Sequence, residues 1–293
     1  MSTKLLSLKN DHVFRRIFGS VENTDILADF LSSALDFPEG EFEKLTITDP
    51  HFKQEHANDK YGTLDVKVYT KSGKIIDVEI QVQPKKGLME RIVFYTSRML
   101  SEQMTKGDKY DKIEKAVSIV IADFDVIKDS PYYHNRYCLY DKNSNTYFAD
   151  LFEIDTLELR KLPPSGDGSK LWDWLKLIST EEEEVMAELA EKNESIRKTV
   201  GVLKVLSGDE RERELAFLRQ KARWDEEARL DYVRDEYKAK GLAEGKAEGK
   251  AEGKVEGKAD KARESARSMK ADGVDITFIA KHTGLSVTEI QDL

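Results

Sequence analysis

Two neighbouring runs alternate apolar with polar residues at the strand period of two. They are Gly62-Thr-Leu-Asp-Val-Lys-Val-Tyr-Thr70 and Lys74-Ile-Ile-Asp-Val-Glu-Ile-Gln-Val82. Leu64, Val66 and Val68 take one face of the first, and Ile76, Val78, Ile80 and Val82 one face of the second, so each reads as a half-buried strand. Asp65, Glu79 and Gln81 fall on the opposite face. Upstream, Phe14, Ile17, Phe18, Ile26, Leu27, Phe30 and Leu31 predict one or two helices over 11–35, stopped by Asp36-Phe-Pro-Glu-Gly40. A strand over 45–54, the two alternating runs, a helix over 87–105 and an apolar strand over 116–123 complete the order α-β-β-β-α-β. Pro131 to Phe152 reads as a further hairpin about Asp141 to Asn145.

The link Lys71-Ser72-Gly73 fits a three-residue hairpin loop with its glycine in the left-handed position. Thr70 then pairs with Lys74, and since 70 plus 74 equals 65 plus 79, Asp65 stands opposite Glu79. Opposed residues have Cβ atoms about 4.5 to 5.5 Å apart, and a one-residue slip would separate the carboxylates to opposite faces. Two like charges so placed destabilise the pair unless a hard cation offsets them. The arrangement reads as a Mg²⁺ or Mn²⁺ site held by Asp65 and Glu79; on spacing alone it also fits the solvated face of an ordinary hairpin.

The flanking segments add to this. Asn10-Asp-His-Val-Phe-Arg-Arg-Ile-Phe-Gly19, Asp65, Glu79-Ile-Gln81, Arg91-Ile-Val-Phe-Tyr-Thr-Ser-Arg98 and Ala116-Val-Ser-Ile-Val-Ile-Ala-Asp123 occur in an order and spacing that resembles the recombination-promoting nucleases, also described as PD-(D/E)XK nuclease family transposases. The similarity spans about residues 5 to 160. It implies an α/β, restriction-endonuclease-like core with a mixed sheet, and a magnesium-dependent DNA endonuclease. Asp65 matches the family's metal-binding Asp, Glu79 its second acidic ligand and Gln81 the position that most PD-(D/E)XK enzymes fill with Lys. Leu64 replaces the Pro of the motif name. Gln81 is the greater departure: an amide orients a water but carries no charge with which to activate it. Catalysis is then expected to be slow, with Lys85 or Lys86 as recruits. The resemblance also places Arg91 and Tyr95 as orienting groups beside the metal, while Asp11 is a third acidic candidate; Asn10 or Asp11 also makes a good N-cap for the first helix, and capping is the simpler reading of Asp11.

Composition narrows the class. The chain has 293 residues, 35% of them charged, and no run approaches the roughly 18 apolar residues of a membrane span. Met-Ser-Thr-Lys-Leu-Leu-Ser-Leu turns polar too quickly for a signal peptide, and the single Cys138 suits a reducing cytoplasm, reading as a packed thiol. A net charge of −9 offers DNA no general attraction, so phosphate contacts must be local. The five histidines lack zinc-ligand spacing, and no phosphate-cradling glycine loop is present.

Pro163-Pro-Ser-Gly-Asp-Gly168 marks a boundary after which the pattern is helical. The expected division is a nuclease-like domain over 1–162, a helical region over 169–240, an Ala-Glu-Gly-Lys repeat over 241–261 as helix or linker, and a small helical module over 262–293. In that module Thr283-Gly284-Leu285 forms a break with Ser286 as cap; its last helix holds Glu289 and Asp292 but no Lys or Arg, which favours packing over DNA reading. On this reading residues 1–162 fold alone and the C-terminal helices serve homo-oligomer assembly. Two functions stand: a Mg²⁺-dependent deoxyribonuclease acting in recombination, transposition or phage defence, or a non-catalytic nucleic-acid-binding or self-assembling protein on a decayed nuclease core.

Overall fold

The computed structural model describes residues 4–48 and 65–293. Helices α1 (Asp11–Phe18) and α2 (Thr24–Ala34) precede strands β1 (Thr46–Thr48), β2 (Val66–Tyr69) and β3 (Ile75–Gln81). Helix α3 (Leu88–Ser101) leads to β4 (Ala116–Ala122), β5 (His134–Cys138) and β6 (Phe152–Glu158). The sheet runs β1-β2-β3-β4-β6-β5; β3/β4 and β4/β6 are parallel and the other neighbours antiparallel. This is the expected mixed α/β core. The predicted strand over 45–54 appears as β1 for three residues, and its remainder, like Gly62 to Leu64 of the first alternating run, lies outside the described residues.

The hairpin has the register its loop requires. Thr70 N–H donates to Lys74 O at 3.0 Å and Gly73 N–H to Thr70 O at 3.1 Å. Gly73 has φ 98°, a left-handed conformation that side-chain-bearing residues rarely adopt. Val66 then pairs with Val78 and Lys67 with Asp77, which sets Asp65, one residue before β2, opposite Glu79.

Both faces of the central strands are covered. Val66, Val68, Ile76, Val78, Ile80, Val117, Ile119 and Ile121 enter one apolar cluster with Phe14, Phe18, Phe30 and Leu31 of the first two helices. The other face packs under α3, where Leu88 and Ile92 meet Val120 and Ile154, and Met99 meets Ile75 and Ala116. The reading of a half-buried hairpin is therefore corrected: its polar side is a layer beneath a helix, with Asp77 2% and Glu79 5% exposed.

Nor does the core stop at Leu162. Helices α4 (Lys170–Ser179), α5 (Glu183–Lys192) and α6 (Glu194–Gly208) contribute Leu171, Trp174, Leu175, Ile178, Met186, Leu189, Ile196 and Leu203 to the same apolar cluster as α1 and α2. Trp174 lies edge-on to Phe18 and Phe30, and its Nε1–H donates to Asp29 Oδ2 at 2.9 Å, an oxygen that also accepts from Asn193, the cap of α6. One compact unit runs through Ala222 and a second from Arg223 to Leu293. Helix α7 (Glu210–Ala271) carries the whole Ala-Glu-Gly-Lys repeat as helix. In the second unit, Ala266 packs with Ile279 of α8 (Ile276–Thr283) and Ile290 of α9 (Val287–Gln291). Gly284 at φ 75° ends α8, and Ser286 with Glu289 forms a capping box on α9.

This packing revises the expectation that residues 1–162 fold alone. A chain cut after Leu162 is expected to aggregate, because the cut strips the helices that bury Phe18 and Phe30. A chain ending at Ala222 is expected to melt cooperatively. Trp174→Ala should cost about 3–5 kcal/mol by chemical denaturation; a loss below about 1 kcal/mol would show that α4 is dispensable to the core.

Candidate active site

Four segments converge at the mouth of the β2–β3 hairpin. Asp65 precedes β2, Glu79 and Gln81 lie on β3, Arg91 on the first turns of α3 and Arg15 on α1. Arg15 donates to Asp65 Oδ1 twice, from Nε at 3.0 Å and from Nη2 at 2.5 Å. Asp65 Oδ2 accepts the Ile80 N–H at 3.0 Å, which ties the acid to the neighbouring strand. Across the pair, Glu79 Oε2 accepts Arg91 Nη2 at 2.9 Å and the Gln81 amide at 3.1 Å. Each carboxylate thus has one oxygen saturated by a guanidinium. Their side chains are 9% and 7% exposed, whereas the arginines are each 34% exposed and reach solvent.

Why this set forms follows from local structure. Helix α1 is amphipathic, with Val13, Phe14, Ile17 and Phe18 buried, so its Arg15 flanks the apolar face and reaches Asp65 at the start of β2. The helix is fixed further by Glu212, which takes His12 Nε2 at 2.6 Å and Arg16 Nε at 3.0 Å. Gly87, at φ 75°, turns the chain from the end of β3 into α3 and brings Arg91 back over Glu79.

Burial dominates the electrostatics. It pushes the Glu79 carboxyl above its usual range; Arg91 pulls it back, and the Asp65 charge pushes it up again. Asp77, two residues earlier on the same face, is driven well above its usual range by burial first and then by Glu79 and Asp65, against the pull of Lys67 opposite. Its Oδ1 has no hydrogen-bond partner. Beside it, Ser118 on β4 shares a 2.7 Å hydrogen bond with Thr96 of α3. The layer under α3 therefore sets buried polar groups among its apolar contacts.

Of the residues singled out from sequence, Asp65, Glu79, Gln81 and Arg91 come together. Tyr95 packs one turn further on, against the cluster of Ile75, Met99 and Ala116 and beside Phe94. Lys85 and Lys86 are exposed before α3, and Arg98 pairs with Glu102 at 2.8 Å. Asp11 is not the cap of α1: Asn10 is, its side chain accepting the His12 N–H at 3.1 Å, and Asp11 sits 4.0 Å from Arg219. Cys138 lies on β5, its thiol pushed up by burial and by Glu153. Arg15 and Asp77 were missed. Asp77 shares the parity of Glu79 and was legible on that ground; Arg15 carried no signal beyond its place on the flank of an apolar helix face.

A family model described as PD-(D/E)XK nuclease family transposase matches residues 8–233. The chain belongs to that family. The match reaches past β6 through α4–α6 into α7, in keeping with the shared core. Comparison with curated proteins and with solved structures gave no match. Membership supports a nuclease or transposase-like hydrolase function on DNA, in a family whose enzymes typically use divalent metals. No described helix is long and apolar enough to cross a membrane.

The donor set of this family member suits a hard dication. Asp65 Oδ2 accepts one hydrogen bond and Glu79 Oε1 none among the described residues, so both keep lone pairs, and Mg²⁺ binds through one or two carboxylates with water and substrate oxygens. Among the described residues, no group of three or more His, Cys, Asp or Glu side chains is placed to hold a metal ion.

A pH test isolates Asp77. Because its folded pKa is raised, the protonated acid belongs to the fold: its contribution to stability is complete below the unfolded value, near 3.9, and is lost as pH rises toward the folded value. The melting-temperature difference between Asp77→Asn and wild type should therefore move in favour of the variant from pH 5 to pH 8. A shift of about 2–4 °C corresponds to about 1 kcal/mol for a unit of this size. A difference independent of pH would place the Asp77 pKa in the ordinary range.

Proposed function

We propose that this protein is a metal-dependent DNA endonuclease whose phosphodiester cleavage serves recombination, transposition or phage defence. The observation that carries this reading is the opposition of Asp65 and Glu79 in a buried layer, each with lone pairs left for a ligand. Asp65 and Glu79 would hold Mg²⁺ or Mn²⁺, which when bound supplies Lewis-acid polarisation of a phosphate oxygen and a more acidic water.

The side chains do the remaining work. Gln81 donates its amide N–H to Glu79, which leaves its carbonyl oxygen to accept a hydrogen bond from an attacking water and so to orient it. Because that amide carries no charge, Arg91 supplies the positive charge nearest Glu79. Tyr95 and Asp11 are supporting residues in this reading, Tyr95 by keeping α3 seated over the strands and Asp11 through α1. The one cysteine fits a cytoplasmic setting, and α7 with the C-terminal helices offers a surface for homo-oligomers.

Plasmid nicking with purified protein tests the proposal. Mg²⁺ should support cleavage and EDTA should abolish it. Asp65→Ala and Glu79→Ala should each lower the rate by at least about a thousandfold, the scale of losing the main electrostatic element of such a site. Full activity of Glu79→Ala would sink the assignment of the site, and full activity in EDTA would sink the metal. Binding of DNA without cleavage would favour the non-catalytic reading.

A further inference from the structure

Arg15 has more to offer than Asp65 can use. A guanidinium carries five N–H donors in a planar fork, and here two of them, on Nε and Nη2, converge on a single carboxylate oxygen. Three N–H groups remain on a side chain 34% exposed, attached to a carboxylate only 9% exposed. The guanidinium is therefore anchored on its inner edge and open on its outer edge. Its helix does not give: Val13, Phe14, Ile17 and Phe18 are buried beneath it, and Glu212 holds His12 and Arg16 on the same helix. Such a group is pre-oriented for a second oxyanion, since little rotamer freedom is left to lose on binding.

Charge points the same way. Asp65 and Glu79 contribute −2, and Arg15 and Arg91, in contact with them, +2. The four groups sum to zero, so a dication would bring the site to +2, the complement of the charge at a phosphodiester under attack. Without Arg15 the sum falls to +1.

We propose that Arg15 is a phosphate-binding residue of this site: it keeps Asp65 in place through one edge and grips a DNA backbone phosphate through the other. The proposal rests on the nuclease reading for its substrate, and the experiment separates the two. Binding of a short duplex is measured by fluorescence anisotropy in Ca²⁺ over a range of salt, with wild type, Arg15→Gln, Arg15→Lys and Arg16→Gln. Removing one phosphate contact lowers the slope of log K against log [salt] by about 0.9. Arg15→Gln should show this loss. Arg16→Gln, which makes the same charge change on the same helix at a residue bound to Glu212, should not. Arg15→Lys retains the charge that stabilises Asp65 but cannot fork between two oxyanions, and should bind about tenfold more weakly than wild type; it decides the matter if Arg15→Gln does not fold. A wild-type slope in folded Arg15→Gln, equal slope losses in both Gln variants, or wild-type affinity in Arg15→Lys each overturns the proposal. If wild type cleaves in Mg²⁺ and any of these holds, the nuclease reading survives and the role of Arg15 does not. If wild type binds duplex without cleaving it, the nuclease reading falls and the slopes still judge Arg15; if wild type binds no duplex, both fall.

Discussion

Two nearly buried acids set opposite each other on adjacent strands are the constraint from which the rest of the site follows. Burial, and then the charge of Asp65, push the Glu79 carboxyl toward its neutral form, so the pair calls for counter-charge. In this structure the counter-charge arrives as Arg15 from α1 and Arg91 from α3. Both arginines stay partly in solvent, which lowers the cost of ordering them and leaves their outer edges free. Breaking such a partly buried pair by removing one partner is costly, since the remaining charge stays in the buried layer.

Asp77 shows the same constraint resolved the other way. It is the most deeply buried acid of the hairpin face, one of its oxygens goes unpaired, and its charge is suppressed rather than matched. Along β3 the side chains pass from a fully buried acid with an unpaired oxygen, Asp77, to an arginine-bound acid, Glu79, and then to the uncharged amide of Gln81.

The helical part of the first unit belongs to the scaffold of this site. Trp174, Leu175 and Ile178 of α4 and Leu203 of α6 fill the cluster that seats α1 and α2, and Glu212 at the start of α7 holds α1 by two contacts. The position of Arg15 therefore depends on residues some two hundred places further along the chain. Pro163 to Gly168 looks like a domain boundary because prolines and glycines break helices and strands, yet a turn between packed elements needs the same residues.

What short windows of sequence determine is local geometry. The period of two in β2 and β3, the left-handed glycine at 73 and the three-residue loop sufficed to place Asp65 opposite Glu79, since a hairpin's register is a property of its own backbone. The glycine and capping signals at Gly284 and Ser286 were legible for the same reason. Three things were settled only by tertiary structure: that the polar face of the hairpin is buried, that Arg15 clasps Asp65 from fifty residues away, and that α4–α6 complete the core. An alternating strand has the same pattern whether its polar side meets water or a layer of hydrogen-bonded side chains beneath a helix. Only the stacking of elements far apart in the chain decides which it meets.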